Sequence, residues 1–168
     1  KTYKGHGTDV AIIAGLLDFD TSDTRLPEAF DIAKKENLKV TFIEEDAVVD
    51  HPNTARIRMG DSEGEMELVG ISIGGGKIEI LELNGFELRL SGHHPAILVV
   101  HDDKFGAIAS VSNVLASHQI NIGHMEVSRK EVGSTALMTI EVDQNIGQDI
   151  LDEISQLAHV TRVTKIAD

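Results

Sequence analysis

The strongest constraint on this chain is a change of hydrophobic period that repeats through its second half. "AILVVHDD" (96–103) is a continuous apolar run of strand length. "GAIASVSNVLASH" (106–118) then brings apolar residues back at helical spacing, with Ile108, Val111, Val114 and Leu115 on one face. "INIGHMEVSRKE" (120–131) and "STALMTIEVDQN" (134–145) read as two strands joined by a turn at Gly133. "QDILDEISQLA" (148–158) returns to the helical period, its stripe formed by Ile150, Leu151, Ile154, Leu157 and Ala158, and "VTRVTKIA" (160–167) closes the series as a strand. A strand–helix–strand–strand–helix–strand order of this length is the ferredoxin-like arrangement.

The first half follows a different grammar. Asp9–Leu17 is a short apolar helix with Thr8 or Asp9 as its N-cap. A second helix is expected from Pro27, which suits a first helical position, to about Glu36, with Asn37 as the stop. "LKVTFIEE" (38–45) reads as a strand, and "ARIRMGD", "EMELVGISI" and "KIEILELNGFELRL" alternate with period two. Gly74–Gly76 supplies a turn between the last two. The first half is thus two helices against an antiparallel sheet of four or five strands, and the whole chain is α+β. "SGHHP" (91–95) punctuates the sequence, so the expected domains are residues 1–92 and 93–168. The first residue is Lys rather than Met, from which an N-terminally incomplete chain is expected.

Composition removes several classes of function. With 168 residues, 41% hydrophobic and 26% charged, the chain can bury one modest core or two small ones. A net charge of −13 argues against nucleic acid and against anionic membrane surfaces as partners. There is no Cys, hence no disulfide, no thiol nucleophile and no thiolate to hold an iron–sulfur cluster. No run approaches the roughly 18 apolar residues of a spanning helix, and no signal peptide is visible. A cytoplasmic protein is expected.

Three stretches carry candidate chemistry. In "TYKGHGTDVAIIAGLL" (2–17), Gly5 and Gly7 free the backbone around His6, and a helix opens directly afterwards. A carboxylate is favoured at that helix end, Lys4 and Asp9 lie in the same patch, and His6 can donate a hydrogen bond or move a proton near neutral pH. The alternative is that Thr8 or Asp9 only caps the helix while the glycines permit a tight turn. "GGGK" (74–77) is not a phosphate loop, because Ile78 rather than Ser or Thr follows Lys77 and a strand rather than a helix comes next; it reads as a hairpin turn. In "HPNTARI" (51–57), Asn53 and Thr54 either line a ligand pocket or build a turn. The eight His residues form no closed ligand spacing, so no metal site is expected.

Residues 95–168 resemble an ACT domain, the amino-acid-sensing module attached to many metabolic enzymes. The likeness rests on "HDDKFGAIASV" (101–111) and "INIGHM" (120–125). Serine-sensing members grip the amino acid between two domains at positions that fall here on His101, Asp103 and Asn121, with Gly106 as the glycine of the turn. Phe105 stands where Pro is usual, and Asp103 where those members carry Asn. Apart from the resemblance, Gly106 opens a helix N-terminus that suits a carboxylate, and Asp103 or Asn121 can accept from an ammonium. The alternative has Asp103 capping the helix and Asn121 ending a turn.

The first half is similar to the beta chain of the iron–sulfur L-serine dehydratases. The carrying stretches are "TYKGHGTDVAIIAGLLDFDTSDTRLPEAF", "HPNTARI" and "GISIGGGKI". That resemblance implies an enzyme that deaminates L-serine to pyruvate and ammonia. Its four-iron four-sulfur cluster is held by the alpha subunit, and none is bound by this chain. It also implies that Lys4, His6 and Asp9 reach the substrate, that an alpha subunit and L-serine or a related amino acid are partners, and that ACT domains pair into a homodimer. The rival reading is a serine-sensing allosteric module of a D-3-phosphoglycerate dehydrogenase, although no Gly-rich NAD-binding turn is present. A third is a stand-alone sensor without a catalytic partner.

Overall fold

Helix ends set the first part of the structure, a computed structural model that describes residues 4–62 and 64–166 and, for Lys4, the backbone alone. The chain packs as two units, residues 1–48 and 49–168. In the first unit a 3-10 turn, Lys4–His6, leads into helix α1, Thr8–Leu16, and a second 3-10 turn, Leu26–Glu28, leads into helix α2, Ala29–Lys35. Pro27 sits in that second turn, where its missing N–H is no loss.

Both helices stop in the same way. Asp18 and Asn37 adopt left-handed backbone with φ of 59° each. The next N–H then reaches back to close the last turn, Phe19 to the Ala14 carbonyl (3.0 Å) and Leu38 to the Ala33 carbonyl (2.8 Å). This is the Schellman ending, in which an apolar residue follows the left-handed one and packs back on the helix. The unit's core is correspondingly small: Ile13, Ala14, Ala29 and Ala33 are buried, with Val10, Leu17, Phe19, Leu26, Val40 and Phe42 against them. Three alanines let the two helices approach closely.

The expected strand at Leu38–Glu45 is not formed; the segment is extended but belongs to no sheet among the described residues. Its alternation serves the helices instead. Val40 and Phe42 lean on the helical core, while Ile43, followed by Glu44 and Glu45, is left 77% exposed.

The second unit holds two sheets. Strands β1 (Thr54–Gly60), β2 (Glu65–Gly74), β3 (Lys77–Leu83) and β4 (Phe86–Leu90) form an antiparallel meander in chain order. The turn between β2 and β3 uses Gly74, Gly75 and Gly76, all at positive φ, as the hairpin reading required. The stretch read as one alternating run, "KIEILELNGFELRL", is in fact two strands. Asn84 (φ 49°) and Gly85 (φ 79°) fold it back, the dipeptide that a tight hairpin with two left-handed residues favours. One face of this meander carries an ion-pair ladder in which Arg56 meets Glu67 and Glu82, and Arg58 meets Glu67. The other face presents Phe86, Leu88 and Leu90.

Strands β5 (Ala96–Asp102), β6 (Ile122–Arg129), β7 (Thr135–Val142) and β8 (Val160–Ile166) form the second sheet in the order β6-β7-β5-β8, with helices α3 (Ala107–Ser117) and α4 (Gln148–Ser155) in the ferredoxin-like sequence. The helices cover one face, burying Ile97, Val99, Val111, Val114, Leu115, Met138, Ile140 and Ile154 together. Ile108 does not join the α3 face as expected: Ala107 takes the inward position, and Ile108 is 47% exposed. Of the α4 stripe, Ile150, Leu151 and Ile154 are buried, whereas Ala158 lies beyond the helix and is exposed. α3 ends as α1 and α2 do, with Gln119 left-handed and Ile120 N–H on the Leu115 carbonyl.

The opposite face of this sheet is covered by β4. Leu88 and Leu90 share a cluster with Ala96, Leu98 and Leu137. Two carboxylates tie the sheets together: Glu126 Oε2 accepts from the Arg89 N–H (3.1 Å), and Glu141 Oε1 accepts from the Ser91 N–H and hydroxyl (3.2 Å each). The Ser91–Pro95 punctuation thus marks a passage from one sheet to the next across a shared core. Among the described residues no helix is long and apolar enough to cross a membrane.

Ile154 is fully buried where α4 meets the sheet. Ile154→Ala is expected to cost about 2–5 kcal/mol, measured as the loss of unfolding free energy in urea; a cost below about 1 kcal/mol would show that this core is looser than its burial states.

Candidate functional site

Three groups of candidate residues lie in three places. In the first unit, His6 is exposed at the end of the opening 3-10 turn. The N-cap of α1 is Gly7, left-handed at φ 70°, and not Thr8 or Asp9. Glycine serves there because the backbone must reverse between the two turns, a conformation that a Cβ strains. Asp9 stands one residue into the helix, half-buried, and its Oδ1 accepts from the Val10 N–H at 3.0 Å. A carboxylate in the first turn of a helix interacts favourably with the dipole but also occupies part of the donor set. Thr2, Tyr3 and the Lys4 side chain lie outside the described residues.

The stretch after α1 is a brace. Asp20 Oδ1 accepts from the Ser22 N–H (2.8 Å) and hydroxyl (2.7 Å). Asp23 holds Arg25 through both its N–H (2.8 Å) and its guanidinium (2.6 Å), and that guanidinium lies 4.1 Å from the Phe19 ring centre. These bonds, the Arg25 side chain first, push the Asp23 carboxyl down to about 2. In the same unit, a cleft of ≈ 500 Å³ opens between α2 and residues 37–40, lined by Ile13, Phe30, Lys34, Leu38, Lys39 and Val40 among others.

In the second unit, Asn53 and Thr54 build a turn. The Asn53 N–H donates to His51 Nδ1 (3.2 Å), the Thr54 hydroxyl to the His51 carbonyl (2.5 Å), and the Asn53 carbonyl accepts from the Ser72 N–H (3.0 Å). This sets "HPNTARI" beside the strand that enters the Gly74–Gly76 turn.

The third group gathers at the end of β5. His101 is 2% exposed, and its Nδ1 lies 2.7 Å from the Asp102 carbonyl. A carbonyl only accepts, so Nδ1 carries a proton, and in the neutral ring the lone pair is then on Nε2. Nε2 is buried and has no partner. Next to it, Asp103 Oδ2 accepts from the Gly133 N–H (2.8 Å) and from Arg129 Nη1 (3.1 Å). The Gly133 N–H and then Arg129 hold the Asp103 carboxyl below its ordinary value. Asp103 does not cap α3: Gly106 is the N-cap, left-handed at φ 87° with no side-chain bond. Phe105 before it is 98% exposed.

Asn121 is elsewhere. Its Nδ2 donates to Asp143 Oδ2 (2.6 Å), and its N–H to Gln144 Oε1 (2.9 Å). His101 pairs with Ala136 on β7, whereas β6 begins at Ile122 opposite Val142. Six residues of strand separate those positions, about 20 Å. Within one chain, then, His101, Asp103 and Gly106 come together, and Asn121 stands at the other end of the same sheet. Arg129 and Gly133, which complete the first cluster, have no signature in sequence; only the register of β6 and β7 brings them there. Among the described residues no group of three or more His, Asp or Glu is arranged to hold a metal.

A family model for the ACT domain matches residues 96–159. The Bacillus subtilis protein described as "Probable L-serine dehydratase, beta chain" is 68% identical over 168 residues, 100% of this chain and 76% of its own length. The chain belongs to the L-serine dehydratase beta-chain family. The beta chain of Peptoniphilus asaccharolyticus L-serine dehydratase is 31% identical over 155 residues, covering 91% of this beta chain and 70% of that one. D-3-phosphoglycerate dehydrogenase of Synechocystis is 25% identical over 128 residues, which are 76% of this chain but 23% of that enzyme. The similarity to the dehydrogenase is the more distant of the two.

The depressed Asp23 carboxyl gives the brace a pH dependence. A folded value of about 2 against an ordinary 3.8 means that its stabilisation is present above pH 3.8 and is lost as pH falls towards 2. Asp23→Asn is expected to be less stable than the parent at neutral pH, the two urea midpoints converging as the pH is lowered through that window. A difference that stays constant down to pH 2 would refute the role.

Proposed function

We propose that this chain is the regulatory and site-completing subunit of a cytoplasmic L-serine dehydratase. The enzyme eliminates water from L-serine, and the product breaks down to pyruvate and ammonia. An alpha subunit holds the four-iron four-sulfur cluster, which supplies Lewis acidity toward the serine hydroxyl. With no Cys, this chain offers a cluster no thiolate, so its own residues serve the substrate and the effector.

The likeness to a beta chain, which runs through all of this chain and 76% of that relative, supports the catalytic half of the reading. His6, exposed and flanked by Gly5 and Gly7, faces outward where a docked partner can reach it. In this role it donates a hydrogen bond to substrate or carries a proton, while the first turn of α1 favours the substrate carboxylate. Lys4 and Asp9, two residues before and three after His6 in the sequence, share this role, and in the second unit Asn53 and Thr54 line a ligand pocket of their own.

One observation carries the sensing half: the buried, unpartnered lone pair on His101 Nε2. An orphaned buried acceptor costs about 1–3 kcal/mol until a donor arrives. A free amino acid supplies one in its ammonium, and its carboxylate suits the uncapped N-terminus of α3 beyond Gly106. Asn121 at the far end joins such a site from a second copy, which pairs the ACT domains into a homodimer. The sensing module of a D-3-phosphoglycerate dehydrogenase is the lesser reading, since the identity to that enzyme is 25% against 68%.

Purified alone, the chain is expected to release no pyruvate from L-serine, and to support release when combined with the alpha subunit. In the combined enzyme, His6→Ala is expected to lower turnover by about 10²–10⁴-fold while the urea midpoint of the chain stays nearly unmoved. Unchanged turnover would return His6 to a purely local role. Asn121→Ala is expected to diminish the shift in thermal midpoint that L-serine produces, and no shift in the parent removes the sensing half.

A further inference from the structure

The cluster at the end of β5 already contains a cation. Arg129 lies on β6, two strands away from β5 in the sheet, and its Nη1 reaches Asp103 Oδ2 at 3.1 Å. The Arg129 side chain is 52% exposed and that of Asp103 22%, so the pair stands at the surface rather than within the core. Two groups here ask for a donor, the His101 lone pair and the Asp103 carboxylate, and only the second is answered. The Gly133 N–H shares the same oxygen at 2.8 Å, and the Asp103 N–H holds the Ser134 carbonyl at 2.8 Å, so Asp103 is fixed in place whether or not Arg129 is present.

We infer that Arg129 is an internal competitor for the effector: its guanidinium occupies at Asp103 the place that the ammonium of a free amino acid takes on binding. This rests on the sensing role proposed above and adds the residue that sets its affinity. The chemistry follows from charge. An anionic Asp103 draws an ammonium more strongly than a neutral side chain does, and an unopposed carboxylate beside a buried lone pair would hold it tightly. Arg129 moderates that pull, because the amino acid binds only the fraction of molecules in which Arg129 has swung out, and apparent affinity falls in proportion. Had Arg129 instead met the effector's carboxylate, its removal would weaken binding; the two roles have opposite signs.

The test is calorimetric titration of L-serine into the full chain and its Arg129→Met and Arg129→Lys variants, with urea midpoints recorded to confirm folding. An exposed pair of this kind is a modest competitor, so Arg129→Met is expected to bind L-serine about two- to fivefold more tightly. Arg129→Lys should fall between it and the parent. In an Asp103→Asn background, where there is no charge to compete for, Arg129→Met is expected to leave affinity unchanged. A purely structural Arg129 lowers the urea midpoint without tightening binding. Unchanged or weaker binding by Arg129→Met, with the parent binding L-serine, overturns the competitor role alone. No L-serine binding by the parent overturns the sensing reading and this inference with it.

Discussion

Everything in the second unit depends on β5 being apolar on both of its faces. Ile97 and Val99 turn toward α3 and α4, and Ala96 and Leu98 turn the other way. A strand of that kind cannot leave one side of its sheet in water, so the sheet must be covered twice. The helices are the first cover and β4 is the second. The four-stranded meander is therefore fastened to the ferredoxin-like sheet through a shared core, with Glu126 and Glu141 satisfying N–H groups of the passing backbone.

What the residues disclosed in advance follows from this. β5, β7 and the inward faces of α3 and α4 are legible because their periodicity records burial, and burial is what stabilises them. Ile108 fits the apolar spacing of the stripe yet is exposed, because that spacing does not distinguish it from Ala107, which takes the inward position. The alternation of residues 77–90 runs unbroken through Asn84–Gly85, so the eye passes over a turn that the dipeptide itself announces. Residues 38–45 alternate just as well, yet their inward members pack on helices. Period two states which side chains face inward and leaves open what they face.

The site divides along the same line. His101 falls at the end of an apolar run, so its burial is implicit in the sequence. Gly106 before an apolar helix is equally legible. The partners of Asp103 are not, since Arg129 and Gly133 lie 26 and 30 residues away and meet it only through the register of β6 on β7. In the first unit, the residues between α1 and α2 that mark the family are largely engaged in holding one another, Asp20 with Ser22 and Asp23 with Arg25 against Phe19. A distinctive stretch can thus be distinctive for its brace, while His6 ahead of it is exposed.

The two glutamates between the sheets remove a hinge. A Gly- and Pro-punctuated passage such as residues 91–95 ordinarily lets its neighbours swing, but here its first residue is gripped twice by a strand of the sheet it is about to enter. The passage is therefore pinned where it leaves the meander, and the two sheets it joins share the apolar cluster of Leu88, Leu90, Leu98 and Leu137.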